Sequence, residues 1–201
     1  MENYIKHVDL AVERAERQES KINLEVRSVP AYTSDKIRHL LNNIGSMDGL
    51  NHLEIGVHRG GTYVATNYGN NLNSVAVDNW SEFAQDGTKA EFLGYCDTLL
   101  AGKKVRFIER DCFKLTKEDF AEPINFYNYD GNHSYESQVL ALTHMYPILA
   151  DTFILTVDDY SWADVNRGTR KGIADLNLKV LYERELYEGY WNGMFVAVLQ
   201  K

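Results

Sequence analysis

The chain has 201 residues and a mass of 23.0 kDa, the size of one α/β domain or of one domain with a short appendage. Its hydrophobic fraction of 44% and charged fraction of 25% are near the averages for soluble globular proteins, which excludes disorder of the whole chain. A net charge of −8 disfavours non-specific binding of polyanions, so no nucleic-acid partner is expected.

The sequence also predicts a cytoplasmic protein with no membrane partner. No apolar run approaches the roughly 18–20 residues that a membrane-spanning helix needs. The first nine residues contain acids where a secretory signal would carry an uninterrupted apolar region. The two cysteines, Cys96 and Cys112, lack Cys-x-x-Cys spacing, which disfavours a disulfide scaffold or a structural zinc site.

Residues 1–28 are predicted to form an N-terminal helical extension, and residues 29–201 the main domain. Apolar residues recur in the extension at spacings of three, four and seven, which predicts a narrow stripe on one long helix. The stripe consists of Ile5, Val8, Val12, Ala15 and Ile22. Two interpretations stay open: the stripe packs against its own domain, or it forms the arm of a homodimer.

The main domain begins with a helix and continues as an alternation of strands and helices. Val29-Pro30 ends the extension, and Thr33-Ser34-Asp35 caps a helix that Gly45 stops. Strand-like runs follow at about 51–56, 73–78, 104–109, 124–129 and 153–158, with helical stretches near 61–68, 82–100, 134–150 and 163–176. This order predicts an α/β fold that is doubly wound and Rossmann-like, with a mostly parallel sheet and helices on both faces.

The C-terminus departs from the alternation. Two strand-like runs, at 178–182 and 194–199, have no helix between them. Their linker, residues 188–193, is rich in turn-forming residues, so the runs are predicted to form an antiparallel hairpin. The sheet would then have seven strands.

The first candidate site follows the first predicted strand, because ligands of doubly wound sheets bind at the carboxyl ends of strands. Gly56 and Gly60 allow a turn that approaches a ligand closely, and Glu54 could accept from an ammonium group. The Gly-x-x-x-Gly spacing argues against a nicotinamide or flavin dinucleotide. A tight turn that binds nothing is the alternative.

Acids also end the second and third predicted strands. Asp78 could accept two hydrogen bonds from a ribose diol, and Asp111 could accept from the exocyclic amine of adenine. Helix capping remains an alternative for Asp78, and Cys112 could be a packing residue. Tyr160 and Trp162 are candidates for the walls of a substrate pocket, with packing again the alternative.

The fourth and fifth strands carry the largest group of acids. Adjacent parallel strands would bring Asp130, Asp158 and Asp159 to one edge of the sheet, where three carboxylates favour a hard cation such as Mg²⁺. His133 is close enough in sequence to face the same space, and its ordinary pKa of about 6.5 suits a general base. Helix capping by these acids is the alternative, and capping does not exclude ligation.

Together these motifs resemble the class I S-adenosylmethionine-dependent methyltransferases. The segment from Asp130 to Ala150, followed by Val157-Asp158-Asp159-Tyr160, is most similar to small-molecule O-methyltransferases related to macrocin O-methyltransferase. A more distant likeness is to catechol O-methyltransferase. The resemblance covers roughly residues 50–170 and implies a methyltransferase with S-adenosylmethionine as cofactor and Mg²⁺ or another hard divalent cation as its metal.

The resemblance also assigns roles to individual residues. It implies that Glu54, Gly56 and Gly60 hold the methionine end of the cofactor, that Asp78 holds the ribose and that Asp111 holds the adenine. Its implied metal ligands and catalytic group are Asp130, Asp158, Asp159 and His133, with Asp130 also at the cofactor.

One position departs from the macrocin-like pattern. Those enzymes have an Asp as the proposed base two residues after the first metal acid, where this chain has Asn132. The expected activity is metal-assisted transfer of a methyl group to a small hydroxylated acceptor, a sugar or a secondary metabolite. The alternatives are a metal-independent N- or O-methyltransferase and a non-catalytic protein that binds the cofactor or serves in assembly.

Overall fold

The computed structural model describes residues 2–201, which form a seven-stranded sheet with helices on both faces. Short 3₁₀ turns at Cys112–Lys114 and Lys117–Asp119 accompany its main elements. In chain order these elements are α1 (Glu2–Glu16), α2 (Leu24–Arg27), α3 (Asp35–Ile44), β1 (Asn51–Ile55), α4 (Gly61–Asn67), β2 (Asn73–Asp78), α5 (Thr88–Leu99), β3 (Val105–Glu109), β4 (Ile124–Tyr129), α6 (Tyr135–Thr143), β5 (Leu149–Val157), α7 (Ala163–Asp175), β6 (Lys179–Leu186) and β7 (Met194–Gln200).

The strand order confirms the predicted fold. It is β3-β2-β1-β4-β5-β7-β6, with the first five strands parallel and β7 antiparallel to both β5 and β6. The terminal hairpin thus inserts its second strand next to β5. Strand order reverses between β1 and β4, and the carboxyl ends of these two strands therefore flank the crevice where such sheets bind ligands.

The two faces of the sheet bury different side chains of the same strands. In β4, Tyr127 and Tyr129 pack in a cluster with residues of α6 and α7, whereas Phe126 packs with residues of α1 and α3 on the other face. This alternation is the period of two that a strand buried on both faces requires. No helix among residues 2–201 combines the length and apolar character needed to cross a membrane.

The predicted single helix over residues 1–28 is wrong, because the chain turns between α1 and α2. Gln18 adopts a left-handed backbone with φ of 53°, and its amide bonds back to the carbonyl of Ala15. Asn23 then starts α2 by accepting from the amide of Val26. Most of the stripe on α1 is buried within its own chain, in the cluster with α3 and β7, and the homodimer remains a prediction.

The predicted helix over 82–100 begins later than expected, at Thr88. Trp80 and Phe83 have φ values of 47° and 56°, and Gly87 has φ of 93°, which no helix contains. Residues 79–87 therefore form an irregular segment, called the 79–87 loop below. The helix predicted over 134–150 ends early as well, since the chain already enters β5 at Leu149.

Helices α6 and α7 cross so closely that their contact leaves no room for a side chain at Gly168. A Cβ atom there would lie 2.5 Å from Cβ of Gln138 and 2.6 Å from the carbonyl oxygen of Tyr135. A Cβ on Gly94 of α5 would meet nothing within 4 Å. Gly168 and Gly94 are therefore a matched pair for substitution: both lie in helices, but only Gly94 has room for a side chain.

We expect Gly168→Ala to lower the free energy of unfolding by about 1–3 kcal/mol, because overpacking forces the two helices apart. Gly94→Ala should raise it by about 0.5–1 kcal/mol, because alanine is the better helix former and the space is open. Urea unfolding of both variants measures the difference. Equal effects of the two substitutions would contradict the close crossing.

Candidate active site

A cavity of about 680 Å³ opens at the carboxyl ends of β1, β2 and β4. Its volume falls within the range of roughly 300–1,000 Å³ that small-molecule sites occupy. The walls come from the β1–α4 turn, the 79–87 loop and the loops after β3, β4 and β5. Residues 31–33 before α3 and residues 191–192 of the β6–β7 turn complete them.

The floor of the cavity is the contact between the ends of β1 and β4. The amide of Asp130 donates to the carbonyl of Ile55 at 2.9 Å, and the backbone of Gly56 has φ of 84°. A Cβ atom on Gly56 would lie 1.9 Å from the carbonyl oxygen of Asp130. Only glycine fits at position 56. Gly60, also at positive φ, is the residue before α4; it lies next to the ring of Phe92 and does not line the cavity.

Glu54 lies beneath the turn and not on the cavity wall. Its Oε1 accepts from the hydroxyl of Thr62 at 2.6 Å, and its Oε2 lies 3.8 Å from Nε2 of His52. Burial raises the pKa of Glu54 to about 8 and lowers that of His52 to about 3. At neutral pH both side chains are uncharged in the interior, an arrangement that does not favour the predicted contact of Glu54 with an ammonium group.

Asp78 lines the cavity and also organises the turn that faces it. Its Oδ2 accepts from the amide of His58 at 2.9 Å, and its Oδ1 accepts from the amide of Trp80 at 2.7 Å. A carboxylate offers about four lone-pair sites, so two stay free for a ligand such as a diol. Asp78 therefore both caps its loop and faces the cavity.

Asp111 lines the same half of the cavity, beside Cys112 and Phe113. Its Oδ1 accepts from the amide of Phe113 at 3.0 Å. Burial raises the pKa of the Cys112 thiol to about 12, so the group stays protonated and unreactive at neutral pH. This half of the cavity therefore combines two carboxylates with apolar surface.

In the acidic cluster after β4 and β5, His133 takes the place that the sequence predicted for Asp158. Ligand atoms of Asp130, His133 and Asp159 all lie within 4.8 Å of one another. His133 Nε2 is 3.0 Å from Oδ2 of Asp159 and 3.9 Å from Oδ1 of Asp130. Asp158 is not among these ligand atoms. It is buried close enough for the charges of Asp130 and Asp159 to add to the effect of burial and raise its pKa, and its Oδ1 accepts from the amide of Asp159, whose φ of 54° turns the chain sharply.

Mutual contacts set the charges of this cluster. The carboxylates of Asp130 and Asp159 raise the pKa of His133 to about 10, against the effect of burial. Burial raises the pKa of Asp130 to about 6, and contact with His133 and Asn192 lowers that of Asp159 despite its burial. His133 is therefore a cation at neutral pH, a state that does not favour the predicted role of general base.

The donor set does not fit the predicted Mg²⁺ site. Mg²⁺ prefers oxygen ligands in octahedral geometry, whereas the group that the structure brings together contains an imidazole and lacks Asp158. The charged imidazole of His133 already lies against the two carboxylates that a cation would neutralise. The imidazolium thus compensates one of the two negative charges of the cluster.

Two features of the site have no sequence signal that could have placed them here. Asn192 of the β6–β7 turn donates to Oδ1 of Asp159 at 2.7 Å, and its carbonyl accepts from the amide of Ser161. Four aromatic side chains, 46–67% exposed, rim the cavity, and only Trp162 among them is a sequence candidate for a pocket wall. The four are Tyr32, Phe83, Trp162 and Trp191.

A doubly wound sheet with a cavity for a small molecule at its switch point defines a Rossmann-like ligand-binding domain. The sequence profile of a family described as a methyltransferase domain matches residues 53–160, which is more than half of the chain. The chain belongs to this methyltransferase domain family. No curated protein sequence matches it significantly.

Solved structures with the same fold include methyltransferases crystallised with cofactor. Magnesium protoporphyrin IX methyltransferase from Synechocystis PCC 6803, with bound SAM, is 13% identical with a TM-score of 0.60, covering 99% of this chain and 94% of that one. The O-methyltransferase from Bacillus cereus, in complex with SAH, is 12% identical with a TM-score of 0.60, covering 95% and 91%.

Other structures with the fold are longer. TrmN from Thermus thermophilus is 13% identical with a TM-score of 0.59, and the alignment covers 88% of this chain and 52% of that one. The chain spans about half the length of the first structures that it matches. At these identities, the structural comparisons show the fold alone.

We expect the imidazole of His133 to keep its proton up to about pH 10, because Asp130 and Asp159 favour the charged form. NMR titration of its ring Cε1 proton measures this value. Asp159→Asn should lower the pKa, whereas Asp164→Asn, an equal change of net charge on an exposed acid of α7, should not.

Millimolar Mg²⁺ should leave the titration of His133 unchanged, since the imidazolium already lies against both carboxylates that would bind the ion. EDTA should have no effect for the same reason. An imidazole that titrates near 6.5, or a pKa that falls when Mg²⁺ is added, would contradict this account of the cluster.

Proposed function

We propose that the chain is an S-adenosylmethionine-dependent methyltransferase that methylates a hydroxyl group of a small acceptor. The observation that carries the proposal is that one cavity joins two unlike halves. Asp78 and Asp111 line one half, and the Asp130–His133–Asp159 cluster lines the other. Membership of the methyltransferase domain family supports the same reading.

The half with Asp78 and Asp111 suits the nucleoside part of the cofactor. The free lone pairs of Asp78 would accept from the ribose hydroxyls, and Asp111 would accept from the adenine amine, with Cys112 and Phe113 as the apolar wall. The turn at Gly56 would approach the methionine part through its backbone. The bound cofactor supplies a methyl group on a positively charged sulfonium, which is open to attack by an oxygen.

The other half suits an acceptor without negative charge. Five carboxylates line the cavity, against the cations Arg110 and His133, so an anionic acceptor would be repelled. The aromatic rim offers flat apolar surface for a ring-shaped molecule. We therefore favour a neutral hydroxylated acceptor, a sugar or a secondary metabolite, as in the macrocin-like enzymes that the sequence resembles.

The charges of the cluster assign its members different roles in moving the acceptor's proton. Asp130, with a pKa of about 6, is ionised near neutral pH and is the better placed base for the hydroxyl proton. The imidazolium of His133 would orient the hydroxyl oxygen and stabilise the negative charge that develops on it. Asn192 holds Asp159, which in turn holds His133.

Metal assistance is the less favoured form of this proposal. Asp158 is absent from the group of close ligand atoms, and the imidazolium of His133 already lies against both carboxylates, where it supplies one positive charge. We therefore propose no step that depends on Mg²⁺. The homodimer, the cytoplasmic location and the absence of nucleic-acid partners stay predictions of the sequence.

We expect S-adenosylhomocysteine to bind with a dissociation constant that Asp78→Asn raises about tenfold or more. Hydrogen bonds to a charged group contribute roughly 1.5–3 kcal/mol, and 1.4 kcal/mol corresponds to a factor of ten. Asp97→Asn, the same substitution at an exposed position of α5, should leave the constant unchanged.

Isothermal titration calorimetry of the unmodified chain and both variants measures these constants. Circular dichroism controls for loss of fold in Asp78→Asn, which removes one acceptor for a backbone amide. Failure of the unmodified chain to bind S-adenosylhomocysteine at millimolar concentration would refute the proposed function. Equal affinities of the two variants would refute the role of Asp78.

A further inference from the structure

The 79–87 loop forms one wall of the cavity, and a side-chain hydrogen bond ties its middle to the opposite wall. Nδ2 of Asn132, in the loop after β4, donates to Oε1 of Glu82 at 2.7 Å. Both residues line the cavity, and the pair therefore bridges the ends of β2 and β4. Phe83, the next residue of the loop, places its ring centroid 6.3 Å from that of His133.

The orientation of the Asn132 amide is fixed by its second partner. Its Oδ1 accepts from the backbone amide of Ser134 at 2.9 Å, at the start of α6. A backbone N–H can only donate, so the oxygen of Asn132 must face it and the NH₂ group must face Glu82. An aspartate at this position would keep the contact with Ser134 but would set a second carboxylate against Glu82.

Besides Glu82, the side chains of Trp80 and Gln85 tie the 79–87 loop to the rest of the chain. Nε1 of Trp80 donates to the carbonyl of His58, and the Arg59 side chain donates to Oε1 of Gln85. The backbone of the loop is left-handed at Trp80 and Phe83, and the ring of Phe83 is 67% exposed. At its ends, Asp78 accepts from the amide of Trp80, and Thr88 accepts from the amide of Gln85. The bond between Asn132 and Glu82 falls between these two anchors.

We propose that Asn132 is a positioning residue that latches the 79–87 loop across the cavity and so slows the escape of a bound ligand. The position requires an amide because its partner is the carboxylate of Glu82. The effect on the loop needs no ligand, whereas the effect on ligand escape rests on the proposed function.

Amide hydrogen exchange of the ligand-free chain tests the latch by itself. Asn132→Asp should speed exchange in the 79–87 loop about two- to tenfold, the factor that corresponds to one hydrogen bond of about 0.5–1.5 kcal/mol. Thermal stability should not fall, because an aspartate also accepts from the amide of Ser134 and its charge favours the nearby N-terminus of α6. If Asn132 only supported the fold, faster exchange in the 79–87 loop would be accompanied by a loss of thermal stability.

A second substitution should restore the latch with its polarity reversed. In Asn132→Asp combined with Glu82→Gln, the new amide donates to the new carboxylate, and exchange should return to the original rate. Asn73→Asp is the matched control, since Asn73 also makes an exposed hydrogen bond, to Asn51, outside the residues that line the cavity. It should leave exchange in the 79–87 loop unchanged.

Stopped-flow measurement of the dissociation rate of S-adenosylhomocysteine tests the effect on ligand escape. The rate should rise in Asn132→Asp, return to its original value in the double variant and stay unchanged in Asn73→Asp. Unchanged exchange in Asn132→Asp, or failure of the double substitution to restore it, would overturn the latch. Altered exchange in a chain that binds no S-adenosylhomocysteine would instead support the latch and refute the proposed function.

Discussion

The contact between the ends of β1 and β4 is the constraint on which the site depends. Gly56 presses against the carbonyl of Asp130 so closely that a single methyl group would separate the two strands. The amide of Asp130 and the carbonyl of Ile55 close the same contact with a hydrogen bond. This contact fixes the point where strand order reverses, and the cofactor half and the acceptor half of the cavity meet there.

Charge compensation decides what chemistry the site can perform. His133 lies between two carboxylates that raise its pKa, and Asp130 is left with a pKa near the operating range of a base. Pairs of titratable groups whose environments push their pKa values apart are the usual arrangement for proton transfer. The β6–β7 hairpin takes part through Asn192, so the antiparallel end of the sheet supports the parallel part.

Hydrophobic patterning predicted the sheet correctly, and strand-end acids predicted much of the cavity wall, because both follow from local sequence. The burial of Glu54 could not be predicted, since it depends on α4 closing over β1. The contact of Asn192 with Asp159 joins residues 33 positions apart, and no pattern indicates it. The pattern predicts helix from residue 82, whereas the structure places residues 82–87 in the 79–87 loop. The left-handed backbone of Phe83 has no sequence signal, but Asp86-Gly87 is a turn signal that favours the observed start at Thr88.

A crystal structure of the chain with S-adenosylhomocysteine tests the central claim most directly. We expect the ligand in the cavity at the β1–β4 switch point, with its ribose hydroxyls on the carboxylate of Asp78 and its adenine beside Asp111. The sulfur should face the side of the cavity that holds Asp130 and His133. A ligand bound elsewhere, or one that leaves Asp78 without contact, would contradict the account.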